Sequence, residues 1–153
     1  MSATDKFQAQ QYLSNGGILA NFMPASQRFA LREALKGEEG EYFADLVKKL
    51  VWRIKGMPVT YNTEDVATPD KVLHLHYFKG GVDAWIVERD VGDTPGHNGE
   101  GEQIQAYGKI TLCGDGWEGA EWGYISIAEL IEAGVELDLY WTETTAKEME
   151  RGG

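Results

Sequence analysis

Apolar and polar positions are patterned most regularly between Trp117 and Trp141. Val135, Leu137, Leu139 and Trp141 alternate with Glu136, Asp138 and Tyr140, the period of a half-buried strand. Ahead of them Ser126 stands as an N-cap with Glu129 three residues on, an S-x-x-E capping box. Ile127, Leu130 and Ile131 form the apolar stripe of a short helix, and Gly134 stands where that helix stops. The stretch reads strand, short helix, strand.

Earlier in the chain the helical period dominates. Residues 1–23 have no clean period and read as an arm laid against the body, with a short helix around Phe7, Tyr12 and Leu13. A helix is expected from Ala25 or Ser26 to Lys36, stopped by Gly37. A second, from Glu41 to Lys55, carries Phe43, Leu46, Val47, Leu50, Val51 and Ile54 on one stripe, with cations gathered at its end. Trp52 falls nearly opposite that stripe. It is read as covered by the arm in preference to being an exposed contact residue.

After a proline-broken loop at 57–71, a hairpin is expected, Lys71 to Phe78 and Asp83 to Asp90 around K-G-G-V. Residues 91–103 read as a mobile, glycine-rich surface loop with nothing to anchor a core. Strands are expected at 104–113, 117–125 and 135–142, with the short helix at 126–133 and a frayed tail. The fold class is therefore α+β: a four- to five-stranded, mainly antiparallel sheet, N-terminal helices on one face, and a short crossover helix before the last strand. The whole chain, 1–153, is read as a single domain, with a helical extension at 1–56, a sheet core at 57–143 and a tail at 144–153.

Charge sharpens this picture. Residues 1–55 hold eight Lys/Arg against six Asp/Glu, and residues 56–153 hold six against nineteen, giving +2 and −13 of the total −11. Such an acidic body disfavours direct binding of nucleic-acid phosphate and suits a basic protein partner, a cation or simple solubility. With one cysteine, Cys113, no intrachain disulfide forms, and Cys113 reads as a small buried hydrophobe. The polar opening and the lack of a membrane-length apolar run lead us to expect a cytoplasmic protein without a membrane span.

Two constellations carry candidate chemistry. His74 and His76 lie two apart on a strand, and Glu88 and Asp90 two apart on its neighbour. If Glu88 lies opposite His74, the four form a divalent-metal set; a one-residue slip sets Trp85 or Val87 against the histidines instead. His97, beside Asp93 and Glu100 in the glycine loop, is a lesser candidate base or ligand. The second constellation is aromatic. Trp117, Trp122, Tyr124, Tyr140 and Trp141 cluster near the end, with acids alternating through them, so Trp52, Trp122, Tyr140 and Trp141 are candidate interaction residues. G-x-G-x-x-G, the P-loop lysine motif and H-E-x-x-H are absent.

V-L-H-L-H-Y-F at 72–78, D-A-W-I-V-E-R-D at 83–90, A-Y-G-K-I-T-L at 106–112, W-G-Y-I-S-I-A-E-L-I at 122–131 and L-D-L-Y-W at 137–141 form an ordered set. Through it the chain resembles, from about Tyr61 to Thr142, a family of small uncharacterised proteins carried on plasmids, phages and integrative elements. The segment before Trp117 departs from the family pattern. The resemblance implies no catalytic residues; the company of conjugation and antirestriction genes implies an accessory role on a mobile element. The leading expectation is thus a non-enzymatic acidic interaction module with a basic protein partner. The alternatives are a metal-dependent hydrolase using His74, His76, Glu88 and Asp90, and a homo-oligomer pairing through Trp141 and an exposed strand edge.

Overall fold

The computed structural model describes residues 3–92 and 98–152. Three helices come first: α1 (Ala3–Leu13), α2 (Ala25–Ala34) and α3 (Gly40–Gly56). In α3 the i, i+3, i+4 spacing of Ala44, Val47, Leu50, Val51 and Ile54 gives one buried face. The expected arm is a regular helix, α1, which buries Ala9 and Leu13. It leaves Trp52 61 % exposed, capped only by the Lys48 ammonium 4.8 Å from its ring. The expected covering of Trp52 by the N-terminal segment is therefore not formed by the described residues.

The sheet elements are β1 (Val72–Leu73), β2 (Leu75–Lys79), β3 (Val82–Glu88), β4 (Ala106–Thr111), β5 (Glu121–Ile125), β6 (Glu136–Leu137) and β7 (Thr144–Thr145). Short helices α4 (Gly116–Gly119), α5 (Ile127–Glu132) and α6 (Ala146–Gly152) lie among them. Five strands form an antiparallel sheet in the order β5-β4-β3-β2-β6, and β1 pairs with β7 separately. The expected fold class is the observed one, down to the helix before β6. Ser126 caps α5 by accepting from the Glu129 amide at 3.1 Å, and Gly134 ends it at φ 81°.

Cross-strand pairing sorts the side chains into rows, because directly opposite residues share a face. Leu75, Ile86, Gly108 and Gly123 make one row, and Tyr77, Ala84, Ile110 and Glu121 the next. Leu75, Tyr77, Ala84 and Ile86 are buried in one core with the apolar faces of α1, α2 and α3. On the other face runs His76, Trp85, Lys109 and Trp122. Beyond an irregularity between Ile86 and Glu88 comes Glu88, Tyr107 and Tyr124. This second face packs Trp85 and Val87 with Trp117, Ala120 and Ala146 into a smaller core.

Two expected strands are shorter than their patterns. Residues 117–119 lie in α4 instead of strand, after turns that Gly114 and Gly116 make at φ 77° and 69°, and Cys113, expected to be a buried hydrophobe, is exposed there. The alternation from Val135 to Trp141 gives only two strand residues. Asp138 Oδ1 accepts from the Tyr140 amide at 3.0 Å, an Asx turn that lifts the chain off the edge. Arg53 holds the Trp141 carbonyl at 2.8 Å, and the chain rejoins as β7. The edge of β6 is closed from outside by Gln27, which donates to the Leu137 carbonyl at 2.7 Å and accepts from its amide at 2.9 Å.

The described end of the loop after β3, residues 98–103, is anchored, where nothing was expected to anchor a core; residues 93–97 lie outside the described residues. Gln103 is fully buried, accepts from the Asp90 amide at 2.7 Å and donates to the carbonyls of Asp90, Gly99 and Gly101. Sequence gives a buried glutamine no signature distinct from an exposed one.

Two consequences are measurable. A Cβ on Gly108 would lie 1.9 Å from the Trp85 carbonyl oxygen, whereas one on Gly123 meets nothing within 4 Å. Gly108→Ala should cost about 3 kcal/mol or more, and Gly123→Ala should stay within about 0.5 kcal/mol, read by urea unfolding. Tyr77 is fully buried and donates to the Phe22 carbonyl, and burial holds its phenol well above the ordinary 10.0. Folding thus favours the protonated phenol: its contribution is complete below pH 10 and is lost as pH rises toward the folded value. Tyr77→Phe should cost about 1–3 kcal/mol by orphaning that carbonyl and should flatten the alkaline decline in stability.

Candidate functional site

The irregularity in β3 shapes a concavity on the aromatic face of the sheet. By resetting the alternation after Ile86 it brings Glu88 up beside Tyr107, on the face that also carries Tyr124. The loop between α3 and β1 folds back over this row. A hollow of about 460 Å³ results, lined by Tyr61, Glu64, Val66, Ala67, Thr68, Lys71, Glu88, Tyr107 and Tyr124.

Glu88 is 3 % exposed, and its carboxylate is held by backbone. Tyr61 N–H donates to Oε1 at 2.8 Å, Thr63 N–H to Oε2 at 2.9 Å, and the Thr63 hydroxyl also donates to Oε2. To point two amides at one carboxylate the loop sets Tyr61 at φ 75°, a left-handed conformation that a bulky residue rarely adopts. Lys71, 7 % exposed, donates to the Thr63 carbonyl at 2.6 Å and to its hydroxyl at 3.0 Å. Its ammonium lies 5.8 Å from the Tyr107 ring. Among the described residues neither Glu64 nor Glu88 forms a direct ion pair; the Lys71 ammonium is linked to Glu88 through the Thr63 hydroxyl they share, and two carboxylates and one ammonium line the hollow.

Three phenol rings make the wall. Tyr124 meets Tyr61 edge-on at 6.0 Å and Tyr107 at 5.6 Å. Gln105 donates to the Tyr61 hydroxyl at 2.8 Å. Burial, then the charge of Glu88, raises the Tyr107 phenol above its ordinary value. Tyr124 is raised by desolvation, by a hydrogen bond with Tyr61, and by the charges of Glu64 and Glu88. The charges of Glu64 and Glu88 oppose phenolate at Tyr107 and Tyr124, and the same negative field favours a cation on the ring faces.

The four metal candidates are not brought together. His76 lies opposite Trp85, the alternative register considered from sequence, and its ring stacks on Trp85 at 5.3 Å. Its Nδ1 faces Asp138 at 3.0 Å and its Nε2 faces Asp83 at 2.8 Å. His74 sits at the break between β1 and β2 and pairs with Glu143. Asp90 accepts from the amides of Gly92, Ile104 and Gln105, at 2.8, 3.0 and 2.8 Å. Each side chain is spent on a different loop or strand, so the expected convergence is not formed. Among the described residues no three His, Cys, Asp or Glu are grouped to hold a metal ion. His97 and Asp93 lie outside the described residues.

The interaction candidates are also dispersed. Trp52 is exposed on α3, and Tyr140 is 66 % exposed. Trp122 stacks on Tyr107 at 6.0 Å, at the margin of the hollow. Trp141 is half-buried and donates from Nε1 to the Leu73 carbonyl at 3.0 Å, holding the chain between β6 and β7 to β1. Sequence reasoning passed over Tyr61, Thr63, Lys71 and Tyr107. The W-G-Y spacing, which puts Trp122 and Tyr124 on one face, was the available signal for the wall.

No protein-family model, curated protein or solved structure matches the chain. Among the described residues no helix is long and apolar enough to cross a membrane.

The carboxylate at the base of the hollow is testable by an isosteric change. Glu88→Gln sets an amide N–H₂ against loop N–H groups and should lower stability by about 1–3 kcal/mol. Amide exchange at residues 61–63 should speed up in the same variant, which a remote loss of packing would not produce.

Proposed function

We propose that this protein is a non-enzymatic binding module that takes a cationic side chain of a basic protein partner into the tyrosine-walled hollow. The observation that carries this reading is Glu88: a carboxylate fixed by loop amides, free of any direct ion pair among the described residues, behind three tyrosine rings. Ring faces and carboxylates both attract an ammonium or guanidinium, and the uneven charge of the chain extends the attraction outward. Lys71 is committed to Thr63 and leaves the rim acid Glu64 available.

The resemblance to proteins of plasmids, phages and integrative elements gives this module a setting. It is an accessory protein of a bacterial mobile element, acting in the cytoplasm on a basic surface of a DNA-handling or host-defence protein. Its acidity works against direct contact with nucleic acid.

The test uses a probe with one cation and little backbone, acetyl-Gly-Arg-Gly-amide, against the same peptide with citrulline in place of arginine. Titration followed by amide chemical shifts should move residues 61–64, 107 and 124 with the arginine peptide only. Tyr124→Ala and Glu64→Gln should each weaken the response about two- to fivefold, and added salt should weaken it further. Equal response to arginine and citrulline, or binding unaffected by both substitutions, would sink the reading.

A further inference from the structure

The two edges of the sheet are treated differently. At β6 the outward groups of Leu137 are both taken by Gln27. At β5 no other element supplies a backbone partner among the described residues. β5 reads Glu121-Trp122-Gly123-Tyr124-Ile125, with no proline and one charge to discourage pairing. Gly123 sits mid-strand, where glycine weakens a strand, yet nothing in the fold requires it there: the space around an added Cβ is open. Gly108 opposite it is required by the Trp85 carbonyl.

Resting on the reading of the hollow as a cation site, we propose that β5 pairs with an extended, basic segment of the partner protein. The segment adds as a strand at the β5 edge. An Arg or Lys opposite Tyr124 extends the row Glu88, Tyr107, Tyr124, and an apolar residue two positions away lies opposite Trp122. Strands lie about 4.8 Å apart, so the cation meets Tyr124, Tyr61 and Glu64 at the near rim, with Glu88 acting through its field. The apolar preference opposite Trp122 follows from Lys109, whose ammonium lies 5.8 Å from that ring and repels a second cation.

Charge selects the occupant. A second copy of this chain would bring two bodies of net charge −11 together, whereas a basic segment meets an acidic body beside the carboxylates of Glu64 and Glu88. The spacing basic-x-apolar, in extended conformation, is the recognition element.

The probe is acetyl-Thr-Val-Thr-Arg-Thr-Val-Thr-amide, in which arginine and both valines share a face, compared with two versions N-methylated at alternate residues. An edge pairs through alternate residues only. One methylated series should therefore bind about tenfold or more weakly, and the other should match the parent. Amide exchange across residues 121–125 should slow on binding the parent peptide. If neither series loses affinity while acetyl-Gly-Arg-Gly-amide still titrates the hollow, the edge proposal fails and the cation site stands. If that tripeptide does not bind, the cation site itself fails, and the edge proposal with it. Protection of residues 121–125 without peptide, together with a dimer in sedimentation, assigns the edge to a second copy and also overturns the proposal.

Discussion

The register between β3 and β4 is the constraint from which the rest of this structure follows. Ile86 can lie opposite Gly108 only because Gly108 has no Cβ to meet the Trp85 carbonyl. That closeness sets Trp85 against Lys109 on one face and Ala84 against Ile110 on the other. A slip by one residue would turn Ile86 out of the helical core and drive Trp85 into it. The irregularity that follows, between Ile86 and Glu88, is the second consequence. It places on the aromatic face an acid that strict alternation would have placed on the helix-covered side.

From that acid the site is assembled outward. Glu88 draws two amides of the α3–β1 loop onto itself, and the loop accepts a left-handed tyrosine to deliver them. The turn so fixed carries the Tyr61 ring to Tyr124 and the Thr63 hydroxyl to Lys71. Glu88 therefore has two effects that are not separable by inspection: it holds the loop, and it makes the field within the loop's concavity negative. Packing and binding draw on one charge.

The opposite half of the same face is spent on structure. His76 is flanked by Asp83 and Asp138 and stacked against Trp85, with Trp141 beside it at 5.1 Å. This cluster joins the β2–β3 hairpin to the segment that leaves β6. Lys109 lies 4.0 Å from the Trp117 ring, and burial lowers its pKa against the opposing charges of Glu150 and Glu118. His76 carries candidate chemistry in the sequence, yet both groups are consumed in closing the second core.

Local sequence was sufficient for much of the fold. The period of α3, the capping box at Ser126, the stop at Gly134 and the hairpin glycines each act within a few residues of themselves, so the chain specifies them without reference to its neighbours. The α+β class and the helix-covered sheet follow from those pieces. Tertiary structure alone decided what Glu88, His76 and Trp141 touch, because each answers to residues at least seven positions away, and most to residues far more distant. It also decided that Val135 to Trp141 would leave the sheet after two residues, since Arg53 and the Asp138 turn act against an alternation that is locally sound. Strand register, bulges and left-handed turns are set by the fit of whole faces. A charge that completes such a fit has no signature in its own stretch of chain.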